Sequence, residues 1–346
     1  MNKKNLVILI AIIFFINIFS GILAAEVVKI PKKALKLEKK ADKATKKKEY
    51  DNAMELYKKA LEIYPDMETV HYKIASIHAF RKNYKGALQE LKTTLKLNSA
   101  NEKAKKALID TTLKYGNALL KNRKMAEAND LFIDLQNVEG IKGIDAILLT
   151  ELDYRIGFNF FQLRKTEESN KYLLKFLDSP YVQKFFRNFH PTANYLIGLN
   201  YSQLEDINNS NKYLMAYIDI TKENPNNKYL TFAKYILGMN NFNVLKKKID
   251  IIEKGRNRSN ISKSNKKILD LANAEKGVEE NLLFAIDKNP DLENAYVLLG
   301  NYYYLKKDLD NSIKYYKLLV EKFPGSADFE VYKVFLKDIE RQKKEK

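Results

Sequence analysis

The sequence predicts an all-α chain built from tandem helical pairs, and three observations carry that prediction. The first is an internal offset. The stretch YDNAMELYKKALEIYPD from Tyr50 aligns with YKGALQELKTTLKLNSA from Tyr84, setting Ala53 with Ala87, Tyr57 with Leu91 and Leu61 with Leu95, each 34 residues apart. The second is composition: 12 Gly and 7 Pro in 346 residues leave long runs without either, which suit helices better than strands. The third is a recurring small residue: Gly116, Gly157, Gly198 and Gly238 follow one another at 41, 41 and 40 residues.

Each element then has its own reason. Amphipathic runs at 34–47 and 68–81 precede the two aligned stretches, so each period holds two short helices. Further pairs are expected around Gly116 with Leu119, Ala128 and Phe132, Gly157 with Phe160, Ser169 and Leu173, and Gly198 with Tyr201, Ser210 and Leu214. Residues 226–255 are degenerate and carry Gly238, while Val278, Leu282, Ala285 and Pro290 mark a helix in a separate unit at 259–292. The last unit, from Glu293, has Tyr296, Leu299, Gly300 and Tyr303, then Ser312, Tyr316, Leu319 and Pro324. Pro65, Pro290 and Pro324 stop the second helix of their units. Extra length falls around Gly140 to Gly143 and from Ser179 to Pro191, with room for a short helix at 182–188. A capping helix is expected over 326–346, with Val331, Val334, Phe335 and Ile339 as its apolar stripe.

These residues, in this recurring phase, resemble the tetratricopeptide repeat (TPR). The resemblance covers about residues 34–325, as units at 34–67, 68–101, 109–142, 150–183, 191–224, 259–292 and 293–326 with the degenerate stretch between the fifth and sixth of these. It implies a right-handed α-solenoid of about eight helix-turn-helix units, because a lone pair cannot bury its apolar face and stacking makes one continuous core. It also implies a concave groove lined by the first helix of each unit. Read at those positions, the candidates for binding a peptide or protein are Tyr72, Tyr154, Phe158, Phe161, Tyr195 and Tyr304. The carboxylate clamp of some family members is not reproduced; only Asn117 and Asn301 are similar to it. The aromatics at 154–195 have two readings, a recognition surface or packing between units.

Catalytic signals are lacking. Neither GxGxxG nor GxxxxGK[ST] occurs, and no serine stands in a recognisable nucleophile setting. The chain has no cysteine, so disulfides, thiolate metal sites, cysteine nucleophiles and a lipidated cysteine are excluded. Of the three histidines, His71 and His78 share a helical face with Glu68, but the repeat register sets both at packing positions; His190 precedes Pro191 at a turn. Paired carboxylates such as Glu167–Glu168 and Glu279–Glu280 read as solvated helix faces. No enzyme, cofactor or metal is expected.

The formal net charge is +18. Lys32, Lys33, Lys36, Lys39 and Lys40 form one basic stretch; Arg256, Arg258 and Lys263, with Lys254, Lys266 and Lys267, form a second, read as a loop of the degenerate unit. Both are candidates for an anionic surface. Residues 1–25 combine Lys3 and Lys4 with an uncharged, mostly apolar stretch from Leu6 to Ala25, as a cleaved signal peptide or an uncleaved anchor does. The lysines that follow Glu26 oppose translocation and keep a reversed anchor open. The expectation is an exported, periplasmic or cell-envelope scaffold that binds a protein or peptide. The alternative is electrostatic attachment to an anionic envelope component, lipid or acidic polymer; nucleic acid is not expected of an exported chain.

Overall fold

The computed structural model describes residues 29–138, 145–222, 227–256 and 261–345. It divides into two compact bodies, one ending at Tyr115 and one beginning at Gly116. The first holds α1 (Lys32–Lys46), α2 (Tyr50–Ile63), α3 (Glu68–Phe80) and α4 (Tyr84–Leu97), and α5 (Glu102–Lys121) runs through the division. The second continues with α6 (Met125–Asn137), α7 (Ala146–Gln162), α8 (Thr166–Asp178), α9 (Val182–Phe185), α10 (His190–Gln203) and α11 (Ile207–Thr221). It ends with α12 (Lys228–Lys254), α13 (Ile261–Ala274), α14 (Lys276–Lys288), α15 (Glu293–Leu305), α16 (Leu309–Lys322) and α17 (Phe329–Lys344). Every regular element among the described residues is a helix, which is the all-α, tandem-pair class read from the sequence.

One contact recurs within the pairs. A small residue on the first helix faces a bulky residue on the second: Gly157 faces Leu173, Gly198 faces Leu214, and Gly300 faces Tyr316. A methyl group at Gly157 or Gly198 would stand 2.7 Å from the leucine Cγ, so the helices approach too closely for any side chain. In the first two pairs Ala41 and Ala75 hold the equivalent place, both buried, 16 residues before buried Tyr57 and Leu91.

The turn between the two helices is equally regular. Lys48, Lys82, Arg123, Arg164, Glu205 and Lys307 adopt φ between 57° and 64°, and each stands seven residues after the small position. The next residue opens the second helix. Asn83, Asp206 and Asp308 cap α4, α11 and α16 by accepting the backbone N–H of Gly86, Asn209 and Asn311 at 3.1 Å.

The sixth pair breaks this turn. Seven residues after Gly238 stands Leu245, buried in the middle of α12, and the helix runs on to Lys254. Gly238 instead meets Leu282 of α14, with a built Cβ 2.8 Å from its Cγ. The segments 226–255 and 259–292, which sequence spacing assigns to separate units, are therefore the two halves of one pair. The second half of α12 and all of α13 form a helical hairpin inserted between them. With Gly116 against Phe132, this contact marks seven pairs among the described residues, where the spacing led to about eight. The stretch at 254–267, expected as a loop, belongs in part to helices: Lys254 ends α12, and residues 261–267 lie in α13.

The cap also differs from expectation. Tyr332 and Ile339 are the buried residues of α17, whereas Val331, Val334 and Phe335 are exposed, Val334 at 66%. The face toward α16 is thus set by Tyr332, Leu336 and Ile339, three to four residues apart, with the half-exposed Phe335 ring stacked at its edge on Tyr316 at 5.8 Å. The short helix expected at 182–188 forms over Val182–Phe185. Residues 1–25, the turn from Gly140 to Gly143, and Arg258 lie outside the described residues.

Candidate functional site

In the first body, α1, α2 and α3 enclose a cleft of about 440 Å³. Its floor is a closed ionic cluster. Tyr57 donates its hydroxyl to Asp42 at 2.6 Å, and Lys73 donates to Asp42 Oδ2 at 2.9 Å and to Glu38 Oε1 at 2.8 Å. Burial works against ionising Asp42, but the hydrogen bonds from Lys73 and Tyr57 outweigh it and hold the carboxyl below its usual range. Burial, with the neighbouring Asp42, pushes the Tyr57 phenol well up. Burial also disfavours the Lys73 ammonium, and its two carboxylate partners more than compensate. The floor is therefore charged but internally satisfied.

The mouth of the cleft is aromatic. Phe80, the last residue of α3, is 67% exposed, with its ring 5.0 Å from that of Tyr50. The Arg81 guanidinium lies 5.9 Å over Tyr50 and is tied to Asp51 at 2.8 Å. Thr45, Ser76, Ile77 and Lys46 complete the walls. An apolar rim over a few fixed polar groups is the arrangement of a recognition site.

The residues singled out from the sequence lie elsewhere. Tyr72 is half-buried on α3, outside this cleft lining. Tyr154 is half-buried, its ring 5.1 Å from Phe176 and 4.6 Å from Phe189. Phe158 and Phe161 are half-buried and pack against the same core. Tyr195 is buried between Tyr217 at 5.1 Å and Tyr229 at 5.4 Å, and burial raises its pKa to about 12. Tyr195 is thus a packing residue, while Tyr154, Phe158 and Phe161 pack on one side and keep part of their surface open. Tyr304 is half-buried and donates to Gln342 at 3.2 Å. Asn117 accepts from Arg155 at 3.3 Å, and Asn301 accepts from the Tyr316 hydroxyl at 2.8 Å.

Lys32, Lys33, Lys36, Lys39 and Lys40 are all exposed on α1. Arg256 is exposed just past α12 and donates to Asn265 at 2.9 Å; Lys263 is exposed on α13. The histidines are not apolar packing residues. His71 Nδ1 is 2.6 Å from Glu90 and its Nε2 is 2.9 Å from the Pro65 carbonyl, while His78 Nδ1 lies 3.1 Å from the Asn83 amide. Among the described residues, no three His, Cys, Asp or Glu side chains come together as a metal site. None of the described helices is long and apolar enough to cross a membrane.

Sequence reasoning missed two features. Phe80 was hidden because the packing register predicts contacts, not which rim residue is left in water. The second is a buried asparagine ladder. Asn159 donates to Asn129 at 2.8 Å, Asn200 donates to Asn170 and Ser169 at 2.9 Å, and Asn240 donates to Asn211 at 2.9 Å and Ser210 at 2.8 Å. Its signal was available: Asn129, Asn170 and Asn211 recur every 41 residues, as do Asn159 and Asn200.

Family models described as the tetratricopeptide repeat match residues 44–109, 191–224 and 294–326. The chain carries tetratricopeptide repeats. The matched segments hold the small positions Ala75, Gly198 and Gly300 and the left-handed turns at Lys82, Glu205 and Lys307, so that contact and turn are those of TPR units, and the sixth pair is the one that interrupts them. Among solved structures, the chain is similar to the C-terminal part of a TPR repeat-containing protein from Cytophaga hutchinsonii, at 12% identity over 85% of this chain and 98% of that one, with a TM-score of 0.42. It is similar also to YrrB, titled a TPR protein with an unusual peptide-binding site, at 17% identity over 69% and 95% with a TM-score of 0.34. The apo form of RapI matches at 14% identity over 83% and 96%, with a TM-score of 0.33. No curated protein matches the chain.

Proposed function

We propose that this chain is an extracytoplasmic TPR scaffold that holds a protein or peptide partner, with the Tyr50–Phe80 cleft as its seat. The observation that carries the reading is the exposure of Phe80, 67%, over a floor whose ions already satisfy one another. A large aromatic left in water beside a half-buried Tyr50 gains by being covered. Each ion of the floor is already hydrogen-bonded, the two carboxylates sharing Lys73 and taking Tyr57 and Thr69 as well, so none is left without a partner when the cleft is covered. Export is supported by the sequence alone, through the apolar stretch from Leu6 to Ala25.

The test is a photocrosslinking amino acid placed at position 80 in the full chain, with position 337 on α17 as a control. A single polypeptide crosslinked from 80 and absent from 337 is the expected result. Equal labelling from both positions, or none from 80, removes the cleft as the seat. Mass analysis of the N terminus tests the export step separately, since a chain beginning at Met1 rules out removal of the signal.

A further inference from the structure

The hairpin inserted into the sixth TPR unit is the most unusual surface of the second body. Residues 244–272 contain nine Lys and Arg against three Asp and Glu. Lys246, Lys247, Lys248, Lys254, Lys263, Lys266 and Lys267 are all exposed, and none pairs with a carboxylate among the described residues. Lysines elsewhere do pair, as Lys73, Lys175 and Lys306 do. The hairpin is held by its inner seam: Leu245 and Ile249 on α12 and Ile268 and Ala272 on α13 are buried in the same core cluster.

The two helices of the hairpin also leave apolar side chains in water. Ile251 is 72% exposed, the most exposed large hydrophobic residue described, and Ile261 is 43% exposed. On α12, Lys247, Ile251 and Lys254 stand four and three residues apart, so the isoleucine and the two lysines share one face. Lys248 flanks that face, and Lys263 and Arg256 stand near Ile261 and the end of α12. The opposing charges of the hairpin are Asp250, half-buried, Glu253, exposed two residues beyond Ile251 and so off its face, and Asp270, exposed on α13.

We propose that the α12 face carrying Lys247, Ile251 and Lys254, with Ile261 and Lys263 at the start of α13, is a contact site for an anionic lipid surface. Lysines around a projecting isoleucine match the two layers of a bilayer interface, phosphates outside and acyl chains beneath. A carboxylate-rich polypeptide would answer the cations and leave Ile251 without a function. The site lies in a different body from the Tyr50–Phe80 cleft and stands or falls independently of it.

The sequence contains no tryptophan, so an Ile251→Trp substitution reports this position alone. The full chain carrying it is mixed with vesicles of phosphatidylcholine alone, or of phosphatidylcholine with phosphatidylglycerol. The expected result is an emission blue shift with the anionic vesicles, none with the neutral ones, and loss of the shift when Lys247, Lys254 and Lys263 are changed to Glu. High salt should reduce it. Ile261→Trp supplies a second reporter if the first variant does not fold, and Phe335→Trp on α17 should stay unshifted. No shift on anionic vesicles, an equal shift on neutral ones, or a shift that survives charge reversal overturns the proposal. A shift produced by polyglutamate and not by vesicles also overturns it, in favour of an acidic protein partner.

Discussion

Gly238 on α12 packs against Leu282 on α14 as Gly198 packs against Leu214, although 44 residues separate the first two and 16 the second. The chain between them leaves the repeat and returns to it. Deleting residues 246–273 and placing Gly at 245, where the other units turn with positive φ, restores the 16-residue spacing. The shortened chain should keep its helical circular dichroism per residue, with a lower melting temperature from the lost Ile249 and Ile268 packing. In the full chain, Gly238→Val drives its methyls into Leu282 and should cost about 1–3 kcal/mol in denaturant unfolding. A neutral Gly238→Val would mean that the two helices do not cross at these residues.

Burial separates the aromatic residues that hold the fold from those open to a partner. Tyr195 is buried against Tyr217 and Tyr229, so Tyr195→Ala should cost about 3–5 kcal/mol. Phe80 is 67% exposed, and Phe80→Ala should change stability by less than about 0.5 kcal/mol. Urea titrations of the two variants decide this. A large loss in Phe80→Ala would assign that ring to the core and remove the cleft's aromatic rim.

The extent to which the sequence was legible follows from what each residue reports. Ala53, Ala87, Ser210 and Ser312 are small because a neighbouring helix crosses there, and all four are fully buried. Such positions are written into the sequence by sterics, and the repeat could be read from them. The sixth unit was misread because Gly238 and Leu282 each look correct, while nothing local states that they belong together across α13. The cap was read in part: of the expected stripe Ile339 is buried and Phe335 stacks on Tyr316, whereas Val331 and Val334 are exposed and Tyr332 and Leu336 pack in their place. Spacing identifies apolar faces but not how far each one is covered. In the aromatic cluster, Tyr154 and Tyr195 stand at groove positions by register and their rings also meet Phe176, Phe189 and Tyr217, so spacing alone does not divide packing from recognition there.

The asparagine ladder makes a separate prediction about specificity of stacking. Asn200 is 2% exposed and donates to both Ser169 and Asn170 of the preceding unit. Asn200→Ala leaves the Asn170 carbonyl oxygen buried without its donor, which should cost about 1–3 kcal/mol. The double variant Asn170→Ala with Asn200→Ala should recover part of that loss, since the Asn170 carbonyl is then gone and only Ser169 Oγ still lacks the Asn200 amide. Unfolding of the two singles and the double forms the cycle that measures it. Strict additivity would show that the two amides do not act as a pair.

Two histidines should give the two bodies opposite responses to pH. In the first body, the Glu90 hydrogen bond raises the His71 pKa above its ordinary 6.5, and burial only partly offsets it. A raised folded pKa means that the folded chain binds the proton more tightly than the unfolded one. The stabilisation is therefore complete below about pH 6.5 and is lost as pH rises through the folded value. In the second body, burial lowers the pKa of His190, so its contribution is complete above about pH 6.5 and is lost as pH falls through the folded value. Glu90→Gln should flatten the decline toward high pH in hydrogen exchange of α3, and His190→Asn should flatten the decline toward low pH in α10. Exchange is the right measurement because it reads each helix separately, whereas a single melting curve would sum two opposed slopes. Unchanged pH profiles in both variants would show that neither imidazole is coupled to folding.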